Sequence, residues 1–196
     1  MKKIAFVLLM MLSSNFVYAN DIYIEQSGDD STIDLIQDGT GNVMGDSLSP
    51  LFFGGGSNTV LIEQIGSNNT LNAVVNGAST NTTISTTGSG NTQTISCGST
   101  SSAGCSGSTI TQTILGDNNA ITQSLGTGAN HTSNISVTGD TNTVTHTSTS
   151  GGTTSANIAV TGSTNTIGVT QSGLTTQSVN VNSSGNNNAI TINQSN

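Results

Sequence analysis

The chain contains no tryptophan, one proline, two cysteines and only two basic side chains, Lys2 and Lys3. Both lysines lie at the very start, so residues 20–196 carry ten acidic side chains and no Lys or Arg. A surface without cations does not neutralise phosphates, which excludes nucleic acid as a partner and charge-driven adhesion to anionic lipid. Two cysteines with no neighbouring histidine are too few for a metal site. Aromatic residues are 3% and charged residues 6% of the chain. That scarcity on its own suits a disordered chain, because little apolar surface is available to offset chain entropy. Periodicity argues otherwise.

Residues 1–19 combine the two lysines with an apolar run over 4–12 and a small-residue ending, Val17-Tyr18-Ala19. This is the layout of a secretory signal peptide, too short and wrongly flanked for a membrane helix. No later run is apolar enough to span a membrane. The expected mature chain, 20–196, is therefore secreted, where Cys97 and Cys105 form a candidate disulfide by default.

What the chain has in abundance is Gly, Ser, Thr and Asn, arranged in one unit. Residues 66–87 hold two copies of it: a glycine, a short polar turn, then alternating apolar and polar residues. Alternation with a period of two is the mark of a strand with one buried face. With each opening glycine as position one, residues 20–196 divide into fifteen half-repeats. Position four alternates between them. In odd halves it is Asn20, Asn42, Asn69, Asn91, Asn119, Asn142, Asn165 and Asn188. In even halves it is mostly a hydroxyl residue (Ser31, Thr80, Ser108, Thr154, Thr176), with Asn58 and His131 as exceptions. The true repeat is thus a pair of halves, 22–23 residues long where nothing is inserted, giving seven and a half repeats. The glycines that open the odd halves are Gly39, Gly66, Gly88, Gly116, Gly139, Gly162 and Gly185, with Gly28 opening the first even half.

Positions six and eight are apolar throughout most of the chain, and position ten mixes Val and Leu with Gln26, Gln37, Gln64, Gln171 and Gln194. Strand, turn, strand, turn satisfies this pattern when successive repeats stack as a β-solenoid. The fold class predicted is all-β, with two parallel sheets facing across a thin core and about 35 Å of stack at the strand spacing of a sheet. Inward Asn and Gln are tolerated only if their amides bond to equivalent amides one rung away, forming ladders. Insertions are expected at 50–54 and 99–104, both between an odd and an even half. The cysteines flank the second, so a bond between them closes the base of that loop. The first carries Phe52 and Phe53, expected either to fold back on the core edge or to offer a contact point.

The ladder positions resemble the curlin family, the subunits of bacterial curli amyloid fibres, built on S-x5-Q-x-G-x2-N-x-A-x3-Q. Ser31-x5-Gln37-x-Gly39-x2-Asn42 fits through the asparagine. Asn58-x5-Gln64-x-Gly66-x2-Asn69-x-Leu71-x3-Val75 fits with Asn, Leu and Val in place of Ser, Ala and the last Gln. Later repeats mostly replace the position-ten glutamine, and the cysteine-flanked loop is additional. The resemblance implies a secreted subunit that polymerises with itself into extracellular fibres at the bacterial surface for biofilm matrix and adhesion. As partners it implies a nucleator or major fibre subunit and a curli-type secretion machinery.

No enzyme, cofactor or metal chemistry is predicted. His131 and His146 fall at inward positions of different strands and read as ladder substitutions. Residues 38–42 have the Asp-Gly-Thr-Gly-Asn look of a calcium loop without its remaining ligands. A second reading, an ice-binding solenoid, rests on the outward pairs Thr92/Thr94, Thr109/Thr111 and Thr143/Thr145. A carbohydrate-binding adhesin is weaker, since the strand faces carry almost no aromatics.

Overall fold

The computed structural model describes residues 20–48, 50–99, 104–126, 128, 130–149 and 151–196. The leader and most of the 99–104 insertion lie outside the described residues. Seventeen strands follow one another: β1 (Asp21–Ile22), β2 (Ile24–Ser27), β3 (Thr32–Thr40), β4 (Val43–Met44), β5 (Leu51–Gly54) and β6 (Thr59–Ser67). Next come β7 (Thr70–Asn76), β8 (Asn81–Ser89), β9 (Thr92–Cys97), β10 (Thr109–Leu115), β11 (Ala120–Leu125) and β12 (Thr132–Thr138). The last are β13 (Thr143–Ser148), β14 (Thr154–Thr161), β15 (Thr166–Ser172), β16 (Gln177–Ser184) and β17 (Ala189–Ser195). No helix occurs among the described residues.

Two parallel sheets form. The first runs β1-β4-β7-β9-β11-β13-β15-β17, with β2 and β5 completing its first two rungs. The second runs β3-β6-β8-β10-β12-β14-β16. Each half-repeat is one side of a coil and pairs with the halves two before and two after it, so the fold is a β-solenoid. Registers follow the position numbers: Gln93, Ile121, Val144, Ile167 and Ile190 stand in one column at position six. Even positions face inward and are buried, odd positions face outward, and the strands read as strict alternation. The core splits into two apolar clusters, one from Met44 to Leu125 and one from Ile114 to Val181.

Two expectations need correction. Residues 51–54 are not part of a loop. They form β5, with Leu51 beside Ile24, and Phe53 beside Gln26 and Val75. Leu51 and Phe53 are 0% and 1% exposed, and Phe52 is buried as well. The excursion instead leaves the strand in its middle: Gly45 N–H bonds Leu71 O at 2.8 Å, and Leu51 N–H bonds Tyr23 O at 2.8 Å. Gly45 and Leu51 thereby hold adjacent strand places, with five residues between them in the sequence. Leu48, nine residues after Gly39, is 93% exposed. Burial of the larger apolar pair Leu51 and Phe53 outweighs uninterrupted spacing. The second correction lies in the half that opens at Gly173. Its position-four place belongs to Gln177, paired with Thr154, rather than to Thr176. The turn there is one residue longer, and the shift sets Val179 and Val181 inward beside Ala156 and Ile158.

Candidate functional site

The feature that runs the length of the molecule is the asparagine column at the turn into the first sheet. Asn119 represents its interior members. Its N–H and its Nδ2 both donate to Asn91 Oδ1, at 2.9 and 3.1 Å, and Nδ2 also donates to Gly139 O at 2.8 Å. Its own Oδ1 accepts the N–H and Nδ2 of Asn142 at 2.9 and 3.1 Å. Asn69, Asn91 and Asn142 repeat this geometry, and Asn165 repeats its donor side. Every donor and acceptor of a fully buried amide is thereby satisfied, which is the condition for placing it inside at all. Aspartate meets only half of that condition, since it cannot donate.

The column has two unlike ends. Asn20 accepts the Asn42 N–H at 3.1 Å and donates to Gly39 O. Asn188 donates its N–H to Asn165 Oδ1 at 2.9 Å, but its Nδ2 turns back to Ser184 O at 3.3 Å. Asn42, inside the candidate calcium loop, spends its Nδ2 on Asp38 O and Gly66 O. Residues 38–42 are therefore a turn of the ladder. Among the described residues no cluster of three or more His, Cys, Asp or Glu suits a metal ion.

The turn glycines stack on one another. Gly66 has φ 122°, and a Cβ there would overlap the carbonyl oxygen of Gly88 one rung on. Glycine is thus required twice over, for a backbone that L-residues avoid and for close approach of the next turn. Gly28, Gly39, Gly88, Gly116, Gly139 and Gly162 each meet the next glycine of their own turn column in the same way, and Gly185 lies in the last rung. A second left-handed residue sits at position three of every turn except those at Thr153 and Thr175. Asn68, Asn118, Asn130 and Asn187 suit it, whereas Thr141 and Thr164 take it at φ 59° and 62° despite β-branching. Position two adds a backbone clasp: Asp117 Oδ1 accepts Ser89 N–H at 2.7 Å, and Asp140 Oδ1 accepts Asp117 N–H at 2.8 Å.

The glutamines do not make one ladder. Gln37 donates to Gln64 Oε1 at 3.1 Å in the second sheet, and Gln171 donates to Gln194 Oε1 at 3.2 Å in the first. Gln26 has no amide neighbour, because β5 sets Phe53 beside it. Cys97 and Cys105 are joined as a disulfide with Cα atoms 5.7 Å apart. Cys105 adopts φ 43° in the place glycine holds elsewhere.

Polar ties cross the core where sequence reasoning had expected only columns. Thr86 Oγ1 donates to Gln93 Oε1 at 2.6 Å, and Gln112 Nε2 donates to Gln123 Oε1 at 2.7 Å. His146 links the sheets through Ser133 Oγ at 3.0 Å and reaches Gln171 Oε1 at 3.2 Å. His131 Nδ1 lies 2.7 Å from Thr154 Oγ1, which lies 3.1 Å from Ser148 Oγ. Burial holds both imidazoles below their ordinary range; for His146 the Gln171 bond opposes that shift and the neighbouring His131 adds to it. The inward Gln and His positions were visible in the sequence, but which strands face each other across the core was not.

These features define a class: a parallel β-solenoid clamped by an amide ladder. The chain matches no protein-family model, no curated protein and no solved structure.

Proposed function

We propose that the chain is a secreted structural subunit whose copies stack end to end into cross-β fibres of the curli type, at the bacterial surface, for matrix and adhesion. The observation that carries this is the state of the end rungs. Among the described residues, β1–β2 and β3 at one end, and β16 and β17 at the other, have a partner strand on one side only. Their inward residues keep the repeat: Ile22 and Ile24 occupy core positions yet are 44% and 46% exposed. Solenoids that stay single shield their ends with atypical capping repeats. A parallel strand edge with apolar residues turned inward is a template for the next chain.

The ice-binding reading draws less support. The complete Thr-x-Thr pairs at Thr92/Thr94 and Thr143/Thr145 are separated by a rung carrying Ala120 and Thr122. The pair Thr109/Thr111 lies between Asn81/Thr83 and Thr132/Asn134. Neither face offers adjacent rungs of paired threonines. Incubating the purified chain 20–196 tests both readings. Fibres with cross-β diffraction and amyloid-dye binding are expected, with no ice-recrystallisation inhibition. A chain that stays monomeric at high concentration overturns the fibre reading.

A further inference from the structure

The fifteen half-repeats of residues 20–196 make seven and a half turns, so the first and last described rungs, β1–β2 and β17, lie in the same sheet. The next half-turn of the coil falls on the other sheet, over β16. Resting on the stacking reading above, we infer that the partner at this edge is a second copy turned by half a revolution about the stack axis. Its β1–β2 pairs with β16, and its β3 pairs with β17. A copy stacked without that turn matches β17 to β1–β2 but leaves the seven-strand sheet one strand short at each joint. The gap strands a row of backbone donors and acceptors in both neighbours.

Idle polar atoms favour the half-turn. Among the described residues, the buried side-chain atoms without a hydrogen-bond partner include Gln177 Oε1 and Ser183 Oγ in β16 and Gln37 Oε1 in β3, besides Gln64 Nε2, Thr82 Oγ1, Gln123 Nε2 and His131 Nε2 away from the ends. In both glutamine pairs the Nε2 donates to the Oε1 of the following rung. Continued across the joint, Gln194 donates to the idle Oε1 of Gln37 in the incoming copy, and two amide pairs merge into one run of four. On the other sheet the incoming Asn20 falls on Gln177 and the incoming Gln26 on Ser183. In the unturned stack Gln37, Gln177 and Ser183 all lie in the strands that border the missing one.

The asparagine column also has a defined handover. It brings Ser31 of the incoming copy over Asn188, a step from asparagine to hydroxyl. The same step already exists inside the second sheet, where Thr80 donates its N–H and Oγ1 to Asn58 Oδ1 at 3.0 and 2.6 Å. Apolar positions meet apolar positions: the exposed Ile22 and Ile24 settle on Val179 and Val181. Charge sets the polarity of the stack. The β1–β3 edge carries Asp21, Glu25, Asp34 and Asp38, whereas β16 and β17 carry no charged residue. Two acidic edges repel, and an acidic edge on a neutral one does not.

Cysteine pairs discriminate the geometries. After a half-turn, Thr191 of one copy lies beside Asp34 of the next, within disulfide reach across neighbouring strands. Without it, Thr191 lies beside Tyr23. Copies carrying Thr191→Cys are mixed with copies carrying Asp34→Cys, or with copies carrying Tyr23→Cys, allowed to assemble, and oxidised. The inference expects covalent dimers from the Thr191/Asp34 mixture and none from the Thr191/Tyr23 mixture. The reverse result overturns the half-turn while leaving stacking intact, and fibres without either cross-link overturn this joint altogether. Absence of fibres from the parent chain overturns the underlying reading instead. Helical symmetry of unmodified fibres gives a second measure: about 36 Å of rise with a rotation near a half-turn per subunit, against about 38 Å and little rotation for the unturned stack.

Discussion

Replacing an interior ladder asparagine such as Asn119 by alanine is expected to be among the most costly polar-to-apolar changes in the molecule's interior. The side chain is 1% exposed and takes part in four hydrogen bonds. Its removal leaves the Asn142 N–H and the Gly139 carbonyl without these partners, and strips Asn91 Oδ1 of one of its two donors. At about 1–3 kcal/mol for each buried group left unpaired, the total is about 3–5 kcal/mol. Asn188→Ala is the internal control, because its Nδ2 makes only a 3.3 Å bond to a neighbouring carbonyl. That variant is expected to lose under about 1 kcal/mol. Asn119→Asp keeps the shape but sets an oxygen against Asn91 Oδ1 and Gly139 O, so it falls near the alanine variant. Asn119→Ser recovers part of the loss, as the hydroxyls of the even halves suggest. Urea titrations followed by circular dichroism, at concentrations where the chain is monomeric, give the comparison. Equal midpoints for the Asn119→Ala and Asn188→Ala variants would refute the claim that the ladder, rather than the strand pairing around it, holds the turn.

Three further outcomes are expected. Deleting 46–50, so that Gly45 runs directly into Leu51, should cost under about 1 kcal/mol, whereas deleting 50–54 removes Leu51 and Phe53 from the core and costs at least about 4 kcal/mol; thermal melts of the two deletions check this, and comparable losses refute the placement of the excursion. Gly88→Ala meets both φ 133° and the Gly116 carbonyl, while at Gly168 a new Cβ finds only Ile190 O at 4.0 Å. The first should lose at least about 2 kcal/mol and the second should be neutral or slightly stabilising, by the same urea assay. His131 and His146 are held below the range of a free imidazole, so the unfolded chain, titrating near about 6.5, takes up protons first as pH falls. Their stabilising contribution is complete above that value and is lost below it, with a slope no steeper than about 1.4 kcal/mol per pH unit for each histidine. Urea midpoints measured from neutral to mildly acidic pH should fall, and should fall less in His146→Gln; an unchanged slope in the double variant with His131→Asn counts against this account.

The sheets, the column of asparagines and the tight glycine turn were all legible from spacing, because a solenoid writes its geometry into the chain once per rung. Asn20 through Asn188 needed only counting. What stayed hidden depended on relations that counting does not carry. Spacing set residues 50–54 down as the insertion, and only packing reveals that Leu51 and Phe53 fill core places instead. Gln177 displaced Thr176 because a longer turn shifted the strand by one. The left-handed third position was obscured by its mixed occupants, threonine among them. The ties of Gln93, Gln112, Gln123 and His146 depend on which rungs face each other across the core, and a one-dimensional alignment of repeats contains no such pairing.

The excursion at 46–50 has a practical consequence. Its stems, Gly45 and Leu51, are both clamped to neighbouring strands by backbone bonds of 2.8 Å, so the length of peptide between them is uncoupled from the axial rise. Foreign sequence grafted there would extrude sideways without disturbing either neighbour's pairing. In an assembled fibre such a graft would recur once per subunit, at fixed intervals along a rigid rod, which makes this the natural display position of the scaffold.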